Sequence, residues 1–428
     1  MATSPEKDLD LSVIIPARNE ADSIGSAVDG VRGVGARLGL AFEVVVVDAA
    51  SPDGTAEVAR RHGAEVIGQT QPGYGGALLA GFARARGEWV LTMDADLSHP
   101  PQFVESLWRA RADADLVIAS RYVPGGYAVM PYGRYLLSRV LNAFFATALS
   151  IPIGDLSSGF RLYRRAALRE LSFAGGNFDV LQQILVALLR GGYHVREVPF
   201  FYQPRLAGAS NARILRFGVG YLRTVVDLWK QRHDLNAADY DFNAFYSRIP
   251  LQRFWQRRRY RAVTSLLRAP GPVLDVGSGS SVFAAQYPGV IAVDANPAKL
   301  RFLRRYNRRV VLADAGRLPF ADGAFATVVC SEVIEDNADR NLLAEAARVL
   351  AAGGSLIVGT PDYGSWRWPL VNWFYSRIQP TRTAGRHPNP YTRERLRAEL
   401  ERLGLAVDEE IAILGSEVIV RAVKRAPA

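Results

Sequence analysis

The strongest constraint on the fold of this 428-residue chain is a pattern of short apolar runs alternating with helical stretches. In the first half, five runs, most of them rich in β-branched residues, are followed by turn-forming residues. They are Leu11–Ile15, Phe42–Val47, Glu65–Ile67, Trp89–Met93 and Leu116–Ala119. Such alternation is typical of a parallel sheet with crossover helices. The pattern therefore predicts an α/β domain.

The same alternation starts afresh at Pro272. Its strand candidates are Val273–Val276, Val290–Val293, Val310–Leu312, Ala326–Cys330 and Ser355–Gly359. The chain is also nearly three times as long as a common domain of about 150 residues. We therefore predict two Rossmann-like α/β domains, at residues 1–212 and 271–428, with a different kind of segment at 213–270.

This middle segment, residues 213–270, is rich in cations. A helical arrangement places four of them on one side, opposite apolar and aromatic residues; they are Arg213, Arg216, Arg223 and Lys230. Such a helix lies in a membrane interface or caps the core of the first domain, and the sequence leaves both interpretations open. Residues 248–261 contain six arginines and no acid. We interpret them as an interdomain connector, with a phosphate or lipid contact as the alternative.

The composition of the chain limits its expected partners and its expected place in the cell. A formal net charge of +10 favours anionic partners such as phosphates, nucleotides or acidic headgroups. The single cysteine, Cys330, excludes an intramolecular disulfide and a zinc site built from several thiolates. The first residues lack the apolar core of a signal peptide, and the longest uncharged apolar stretch, 140–154, is shorter than the ~20 residues of a spanning helix. We expect a cytoplasmic protein without a transmembrane helix, peripheral at the cytoplasmic face of the membrane.

Polar motifs follow three of the predicted strands in the first domain, where ligands of open α/β sheets collect. They are Pro16-Ala17-Arg18-Asn19-Glu20, Asp48-x2-Ser51-x-Asp53-Gly54-Thr55 and Asp94-Ala95-Asp96. Two carboxylates separated by one residue can bind a hard divalent ion, whose remaining coordination positions are filled by water and a diphosphate. The sequence thus predicts Mg²⁺ or Mn²⁺ at Asp94 and Asp96.

With Gly73-x-Gly75-Gly76, these motifs resemble the GT-A catalytic domain of family 2 glycosyltransferases. The resemblance implies a GDP- or UDP-sugar donor that contacts Glu20, Asp48 and Asp94. It makes Asp96 the main metal ligand. Pro16 and Arg18, in the first motif, are assigned to nucleotide-sugar binding as well.

A second set of motifs resembles the polyprenyl-phosphate branch of that family, typified by dolichol-phosphate mannosyltransferase. The set comprises Asp94-Ala95-Asp96-Leu97-Ser98-His99-Pro100-Pro101, Ser120-Arg121-Tyr122, Asp155-x2-Ser158-Gly159-Phe160-Arg161, Glu197-Val198-Pro199 and Arg205-x2-Gly208-x-Ser210. The resemblance implies that the acceptor phosphate is held by Arg121, Arg134, Ser138 and Arg205. A phosphate monoester is already an oxyanion at neutral pH, so it needs positioning rather than a base. If the acceptor is a hydroxyl instead, Asp179 is the candidate base.

The second domain opens with Val273-Leu274-Asp275-Val276-Gly277-Ser278-Gly279, a strand that runs into a glycine-rich turn. With the segments that follow, it resembles a class I S-adenosylmethionine-dependent methyltransferase. The resemblance implies that Asp275, Gly277 and Gly279 line the methionine end, that Asp294 binds the ribose and that Asp314 reaches the adenine. Ser281 replaces a common third glycine, and Asp336 stands where relatives often have histidine. His387 and Tyr391 are candidates beside the methyl acceptor.

The leading hypothesis is a bifunctional enzyme. Its first half transfers a sugar, with inversion, to a dolichyl or undecaprenyl phosphate, and its second half methylates a related glycan, lipid or small molecule. Two alternatives remain: a hydroxyl acceptor with methylation of the product, or a catalytically silent methyltransferase domain. A non-enzymatic protein that binds nucleic acid or membranes through its positive charge is a third hypothesis. Carboxylates at the strand ends argue against it, and no nucleic-acid partner is expected.

Overall fold

The computed structural model describes residues 9–171, 180–204, 218–268, 270–336, 341–378 and 388–425. The chain forms two compact units. The first comprises Met1–Leu189 and Tyr193–Arg232, and the second comprises Arg190–Gly192 and His233–Ala428. The segment 213–270 therefore divides between the two units after Arg232.

The first unit is built on a seven-stranded sheet and a small two-stranded one. Its strands are β1 Leu11–Ala17, β2 Phe42–Asp48, β3 Glu65–Gly68, β4 Trp89–Thr92, β5 Leu116–Ser120, β6 Tyr127–Ala128, β7 Arg161–Arg164, β8 Val195–Pro199 and β9 Phe201–Tyr202. The order in the large sheet is β3-β2-β1-β4-β7-β5-β8, and β6 pairs with β9. All five predicted strands are present, with ends within two residues of the prediction.

Eight helices of the first unit are described. They are α1 Ile24–Arg37, α2 Thr55–Arg61, α3 Gly73–Arg84, α4 Val104–Ala110, α5 Tyr132–Ala148, α6 Arg165–Arg169, α7 Val180–Arg190 and α8 Gly218–Arg232. Two apolar clusters form the core. One contains the buried side of α1, including Ile24 and Val28. The other contains Leu78 of α3 and the apolar residues of α7, such as Ile184.

Strand β7 departs from a purely parallel sheet. It lies between β4 and β5 and runs antiparallel to both. Its sequence begins and ends with arginine, so it does not resemble a buried central strand. Arg161 is nevertheless fully buried, because its guanidinium donates to the backbone oxygens of Leu156, Ser158 and Leu181 at 2.7, 2.7 and 2.9 Å.

Helix α8 contributes apolar side chains to the first unit. Leu228 is buried in the core cluster that contains α7, and Val225 and Trp229 pack against the same cluster. This packing favours the interpretation of the helix as a cap on the core. The predicted cationic positions Arg213 and Arg216 lie outside the described residues.

The second unit has its own seven-stranded sheet. Its strands are β10 Val273–Val276, β11 Ile291–Asp294, β12 Val310–Leu312, β13 Phe325–Ser331, β14 Leu350–Pro361, β15 Leu405–Ile413 and β16 Glu417–Lys424. Their order is β12-β11-β10-β13-β14-β16-β15, with β15 and β16 antiparallel. The five predicted strands are all present, although β14 begins earlier than predicted.

Seven helices of the second unit are described. They are α9 Tyr240–Phe245, α10 Pro250–Leu266, α11 Val282–Gln286, α12 Pro297–Leu303, α13 Leu342–Val349, α14 Trp368–Ile378 and α15 Arg393–Arg402. The arginine-rich segment 248–261 falls mostly in α10. One side of α10, including Trp255, Val263 and Leu266, is buried in a cluster with residues of the sheet.

Among the helices in the described ranges, none combines the length and the apolar character that crossing a bilayer requires.

Candidate active sites

In the first unit, the loops after β1, β2 and β4 meet at one edge of the sheet. The three strands are parallel neighbours, with Ala17 opposite Asp48 and Ile14 opposite Thr92. Each loop contains a non-glycine residue with positive φ; these are Asn19, Ala50 and Leu97, at 57°, 56° and 62°. Residues in this left-handed region cost about 1–3 kcal/mol and cluster at ligand sites. The backbone thus marks this edge as the candidate site.

The loops after β1 and β2 are joined by three hydrogen bonds. The amides of Asn19, Glu20 and Ala21 donate to Ser51 Oγ, Thr55 Oγ1 and Asp53 Oδ2 at 3.0, 2.9 and 3.1 Å. The polar residues of the second motif therefore shape the pocket, and Asp48 is left to face a ligand.

Asp48 ends β2 and is buried. Its Oδ2 accepts from the amide of Ser51 at 3.1 Å, whereas Oδ1 has no hydrogen-bond partner within the described part of the chain. A buried carboxylate oxygen without a partner is costly unless a ligand supplies a donor. Glu20 accepts from Ser23 Oγ at 2.9 Å in the neighbouring loop, and Arg18 is exposed beside it. These positions fit a bound nucleoside.

Asp94 and Asp96 follow β4 at the same edge. The Asp94 side chain is 34% exposed, whereas Asp96 is buried and accepts from the amide of Ser98 at 3.0 Å. Across the described residues, no group of three or more His, Cys, Asp or Glu side chains is arranged to hold a metal. Magnesium is commonly bound by one or two carboxylates, with substrate phosphates and water completing its shell. The two oxygen-donor side chains fit that arrangement.

His99 lies in a motif that the sequence identified, although the sequence analysis assigned this residue no role. Its Nδ1 accepts from the amide of Asp94 at 3.0 Å, so the neutral ring carries its proton on Nε2, which lies 3.7 Å from Asp94 Oδ2. The ring is buried and stacks on Phe160 at 5.0 Å. Burial lowers the pKa of His99, although Asp94 and Asp96 oppose the shift. His99 is thus a neutral support that fixes the Asp94 turn.

Tyr74 was also missed, although it is the central residue of Gly73-x-Gly75. A Cβ on Gly159 would lie 2.5 Å from the Tyr74 hydroxyl oxygen and 3.7 Å from Asp94 Oδ1. Tyr74, Gly159 and Asp94 therefore adjoin one another. Burial, reinforced by the charge of Asp94, raises the pKa of Tyr74 and keeps its hydroxyl protonated.

Arg121 follows β5 and is paired with Asp155. Its Nε and Nη2 donate to the two carboxylate oxygens, each at 2.7 Å, and Nη2 also donates to Ser157 Oγ at 2.8 Å. Burial alone would lower the pKa of Arg121, but the charge and hydrogen bonds of Asp155 outweigh burial and raise it. The cation is therefore permanent and its orientation is fixed.

Glu197, from one of the motifs, and Asn142, which the sequence analysis did not single out, hold the Asp155 turn. Glu197 in β8 accepts from the amides of Gly154 and Asp155 at 2.8 and 2.9 Å. Asn142 in α5 accepts from the amide of Leu156 at 2.8 Å and donates to Ser157 Oγ at 3.1 Å. The Asp155 and Glu197 motifs thus position Arg121 and dock α5 beside it.

The other predicted acceptor residues lie on α5 or beyond the described ranges. Ser138 Oγ accepts from the Tyr122 hydroxyl at 2.7 Å, and Tyr122 is the neighbour of Arg121. Arg134 is exposed on the first turn of α5. Arg205 lies outside the described residues, as does Asp179. Among these residues, Ser138 is thus linked to the chain neighbour of Arg121 by one hydrogen bond.

In the second unit, the glycine-rich turn follows β10. Gly277 and Gly279 have φ of 65° and 55°. A Cβ on Gly277 would overlap Val333 Cγ2, so the Gly277 backbone approaches the Val333 side chain more closely than a residue with a Cβ allows. The turn borders a cavity of about 270 Å³ that also touches Asp275, Asp294 and Asp336.

Asp294 and Asp241 both bind the amides of this turn. Asp294 Oδ2 accepts from Gly279 at 2.7 Å, and Asp241 Oδ2 accepts from Ser280 at 2.9 Å. Lys299 donates to Asp241 at 3.2 Å and also lines the cavity. Asp241 comes from α9, well before the glycine-rich motif, and the sequence analysis missed it.

Asp275, at the base of the turn, is buried. Burial raises its pKa to about 8, with the hydrogen bond from Ser281 opposing the shift and the charges of Asp294 and Asp241 adding to it. Ser278 Oγ and Ser331 Oγ are buried without hydrogen-bond partners among the described residues. An acidic cavity with unsatisfied polar atoms fits a cationic, polar ligand such as S-adenosylmethionine.

Ser281, which replaces the third glycine, has a structural role of its own. Its Oγ accepts from the amide of Ala284 at 3.0 Å and caps the N-terminus of α11. The same hydroxyl lies 3.3 Å from Asp275 Oδ2. The substitution therefore leaves the turn intact.

Glu332 and Arg259 form the opposite wall of this cavity. Glu332 follows β13 with φ of 59°, and its carboxylate lies 3.1 Å from Arg259 Nη2. Arg259 also binds the buried Glu417 at 2.7 Å, and Trp255 donates to the same carboxylate. Helix α10 thus contributes a fixed cation to the cavity, a contribution that the sequence analysis did not anticipate.

Two further predicted methyltransferase residues, Asp314 and Tyr391, are not among those that line this cavity. Asp314 is exposed in the turn after β12, where it accepts from the amide of Gly316 at 2.8 Å, and it is not among the residues that line the cavity. Tyr391 is buried in the core, and its hydroxyl donates to Glu399 at 3.2 Å. His387 lies outside the described residues.

The two folds and their strand-end sites define an enzyme of two parts: a GT-A glycosyltransferase domain followed by a class I methyltransferase domain. The profile of glycosyl transferase family 2 matches residues 12–172. A methyltransferase-domain profile matches residues 274–358.

Individual relatives resemble the first half of the chain. Dolichol-phosphate mannosyltransferase from Pyrococcus furiosus is 33% identical over 238 residues, which are 53% of this chain and 65% of that protein. Undecaprenyl-phosphate mannosyltransferase from Micrococcus luteus is 36% identical over 212 residues, which are 46% of this chain and 85% of that protein. The chain belongs to glycosyltransferase family 2.

Among solved structures, glucosyl-3-phosphoglycerate synthase from Mycobacterium tuberculosis, crystallised with Mn²⁺, UDP and phosphoglyceric acid, is 23% identical. The match has a TM-score of 0.42 and covers 52% of this chain and 78% of that one.

Proposed function

We propose that the first unit transfers a sugar, mannose by analogy with its relatives, from a nucleotide sugar to a polyprenyl phosphate with inversion at the anomeric carbon. The observation that carries this proposal is the loop 155–159, which joins an acidic and a cationic group. At one end Asp155 holds Arg121, and at the other Gly159 adjoins Asp94 and Tyr74. A donor held at Asp94 and an acceptor phosphate held at Arg121 would thus lie at the two ends of one short loop.

The donor side is assigned to Asp48, Asp94 and Asp96. Asp94 and Asp96 would hold a divalent ion together with the donor diphosphate. Such an ion, when bound, offsets the negative charge that develops on the departing nucleoside diphosphate. His99 holds the Asp94 turn by accepting a hydrogen bond from the Asp94 amide. Asp48 Oδ1, which has no hydrogen-bond partner among the described residues, is available to a hydrogen-bond donor of the nucleoside.

The acceptor side depends on cationic positioning. Two nitrogens of Arg121 are used by Asp155, whereas Nη1 has no hydrogen bond to any described residue and remains for a phosphate oxygen. Ser138 supplies a second polar group nearby, through Tyr122. A phosphate with its second pKa near ~6 is already anionic at neutral pH, so no general base is required of the protein.

The apolar part of such an acceptor would face α5. Four large side chains on this helix are exposed at a helical spacing: Tyr132 at 76%, Leu136 at 47%, Val140 at 55% and Phe144 at 53%. An exposed apolar stripe with flanking arginines is typical of helices that lie at a lipid surface. We therefore assign α5 as the element that contacts the isoprenoid chain and the membrane.

The decisive experiment supplies the full chain with radiolabelled GDP-mannose, UDP-glucose or other nucleotide sugars, with Mg²⁺ or Mn²⁺. Each donor is paired with a polyprenyl phosphate, the matching polyprenol, or a free glycan. We expect a lipid-extractable product from the phosphate alone. Transfer confined to the polyprenol or the glycan would instead favour the hydroxyl-acceptor alternative, with a carboxylate base.

For the second unit, we propose an S-adenosylmethionine-dependent methyltransferase that acts on a related glycan, lipid or small molecule. Asp275, Gly277, Gly279 and Asp294 would hold the cofactor, which supplies an electrophilic methyl group when bound. Calorimetry tests this assignment. The wild type should bind S-adenosylmethionine, and Asp294→Ala should weaken binding by roughly tenfold or more, because it loses an anchor of the turn. Failure of the wild type to bind would favour a silent domain.

A further inference from the structure

We propose that the second unit carries its own docking surface for anionic membranes, formed by the exposed face of α10. This arginine face consists of Arg253, Phe254, Arg257, Arg258 and Arg261. With Pro250 these residues line a shallow depression of about 310 Å³. The inference concerns a unit other than the glycosyltransferase and does not rest on the proposed acceptor.

The arginines are presented outward because the other side of α10 is fixed. Trp255, Val263 and Leu266 are buried against the second sheet. Positions three or four apart share one side of a helix, which brings the four arginines of the arginine face together on the opposite side. The helix therefore holds their guanidinium groups on one surface.

The charge of this surface is not neutralised locally. Residues 248–261 contain no acid, and none of the four arginines has an ion-pair partner among the described residues. Arg259, on the same helix, differs because it is bound by Glu332 and Glu417. The unpaired charge is thus confined to the outer side, where it complements a negatively charged partner.

An apolar group in the middle favours a lipid surface over a nucleic acid. Phe254 is 41% exposed, and the guanidinium of Arg258 lies 5.7 Å from its ring centroid. Ile249, at the start of the helix, is 37% exposed. Aromatic and aliphatic groups among cations suit the boundary between headgroups and acyl chains, where basic residues are attracted to anionic headgroups.

The test uses the full chain and vesicle co-sedimentation. Vesicles are made of phosphatidylcholine alone or mixed with phosphatidylglycerol, at low and high salt. The variant R258E/R261E is compared with R308E/R317E, which changes two exposed arginines elsewhere in the second unit by the same charge. Binding of S-adenosylmethionine and the melting temperature establish that each variant folds, and R258A/R261A provides a milder second variant.

We expect the wild type to prefer the anionic vesicles at low salt and R258E/R261E to bind them about tenfold more weakly or worse. R308E/R317E should bind like the wild type, and binding to phosphatidylcholine alone should not change. Equal binding of both double variants to anionic vesicles would overturn the proposal. So would a wild type that binds a nucleic-acid duplex more tightly than the vesicles and loses that binding in R258E/R261E.

Discussion

Arg121 and Asp155 form a two-pronged ion pair, with Nε to Oδ2 and Nη2 to Oδ1 both at 2.7 Å, and the carboxylate is fully buried. Burial alone would raise the pKa of Asp155, but the charge and hydrogen bonds of Arg121 outweigh it and hold the pKa below the ordinary value. The pair ties Arg121, the cation proposed to bind the acceptor, to a loop whose other end adjoins Asp94.

We expect Asp155→Asn to destabilise the first unit by about 3–5 kcal/mol, because it leaves the buried Arg121 cation without a counter-charge. Urea unfolding followed by near-UV circular dichroism would measure the loss. Asp113→Asn, an exposed acid, is the matched control and should change little. A loss no larger than that of the control would show that Arg121 is solvated and that the pair is not structural.

The same pair predicts a pH dependence of stability. Because the folded-state pKa of Asp155 lies below its unfolded value of about 3.9, the pair stabilises fully above that pH and weakens as pH falls through the folded pKa. Acid titration of the free energy of unfolding should therefore show a fall below about pH 4 that is smaller in Asp155→Asn. An equal fall in the free energy of unfolding at low pH in both proteins would contradict the prediction.

Strand positions in both units could be predicted because β-branched runs are a local property of the chain. The alternation with helices also predicted a mostly parallel sheet, and β1 to β4 pair in parallel. The antiparallel strands could not be predicted, since their pairing depends on contacts between distant segments. Strand β7 carries arginine at both ends, and only the backbone oxygens of residues 156, 158 and 181 make Arg161 acceptable in the core. The antiparallel β15 carries three consecutive acids, Asp408 to Glu410. These acids interrupt its apolar run, so the hydrophobic pattern does not predict a strand there.

The site residues divide in the same way. Asp48, Asp94 and Asp96 could be singled out because Asp48 and Asp94 directly follow predicted strands and Asp96 lies two residues after Asp94. His99 and Tyr74 act through packing and an amide contact that no spacing encodes. Asp241 reaches Ser280 across 39 residues, a contact that depends on the path of α9. Such contacts become visible only when the tertiary structure is known.

Asp94→Asn and Asp96→Asn should each lower sugar transfer by roughly a hundredfold or more, because either change removes an anionic ligand from the proposed ion site. The affinity for Mn²⁺ in the presence of the nucleoside diphosphate, measured by calorimetry, should fall in parallel. The melting temperature should stay near that of the wild type for Asp94→Asn, whose side chain is partly exposed. Unchanged turnover in both variants would remove the metal assignment.

Gly279→Ala should weaken binding of S-adenosylmethionine by about tenfold or more, because it strains the backbone of the turn. The added Cβ would overlap Asp241 Oδ2, and φ at this position is 55°. Asp241→Ala alone should also weaken binding, because it removes the acceptor of the Ser280 amide. In the double variant Gly279→Ala/Asp241→Ala the clash is gone, so we expect the loss of affinity to be smaller than the sum of the two single losses. Additive losses would show that Asp241 does not press on the turn.

The last prediction concerns a proton on Asp275, whose pKa burial raises to about 8. Between its unfolded pKa, near 3.9, and about 8, the folded state holds a proton that the unfolded state has lost. The contribution of Asp275 to stability therefore falls as pH rises across this range and levels off above it.

The positive charge of S-adenosylmethionine favours the carboxylate, so binding near neutral pH should release a proton, and affinity should rise towards pH 8. Calorimetry in two buffers with different ionisation enthalpies counts the released protons. Asp275→Asn keeps the shape of the side chain but has no proton to release, so equal proton counts in this variant and the wild type would contradict the assignment.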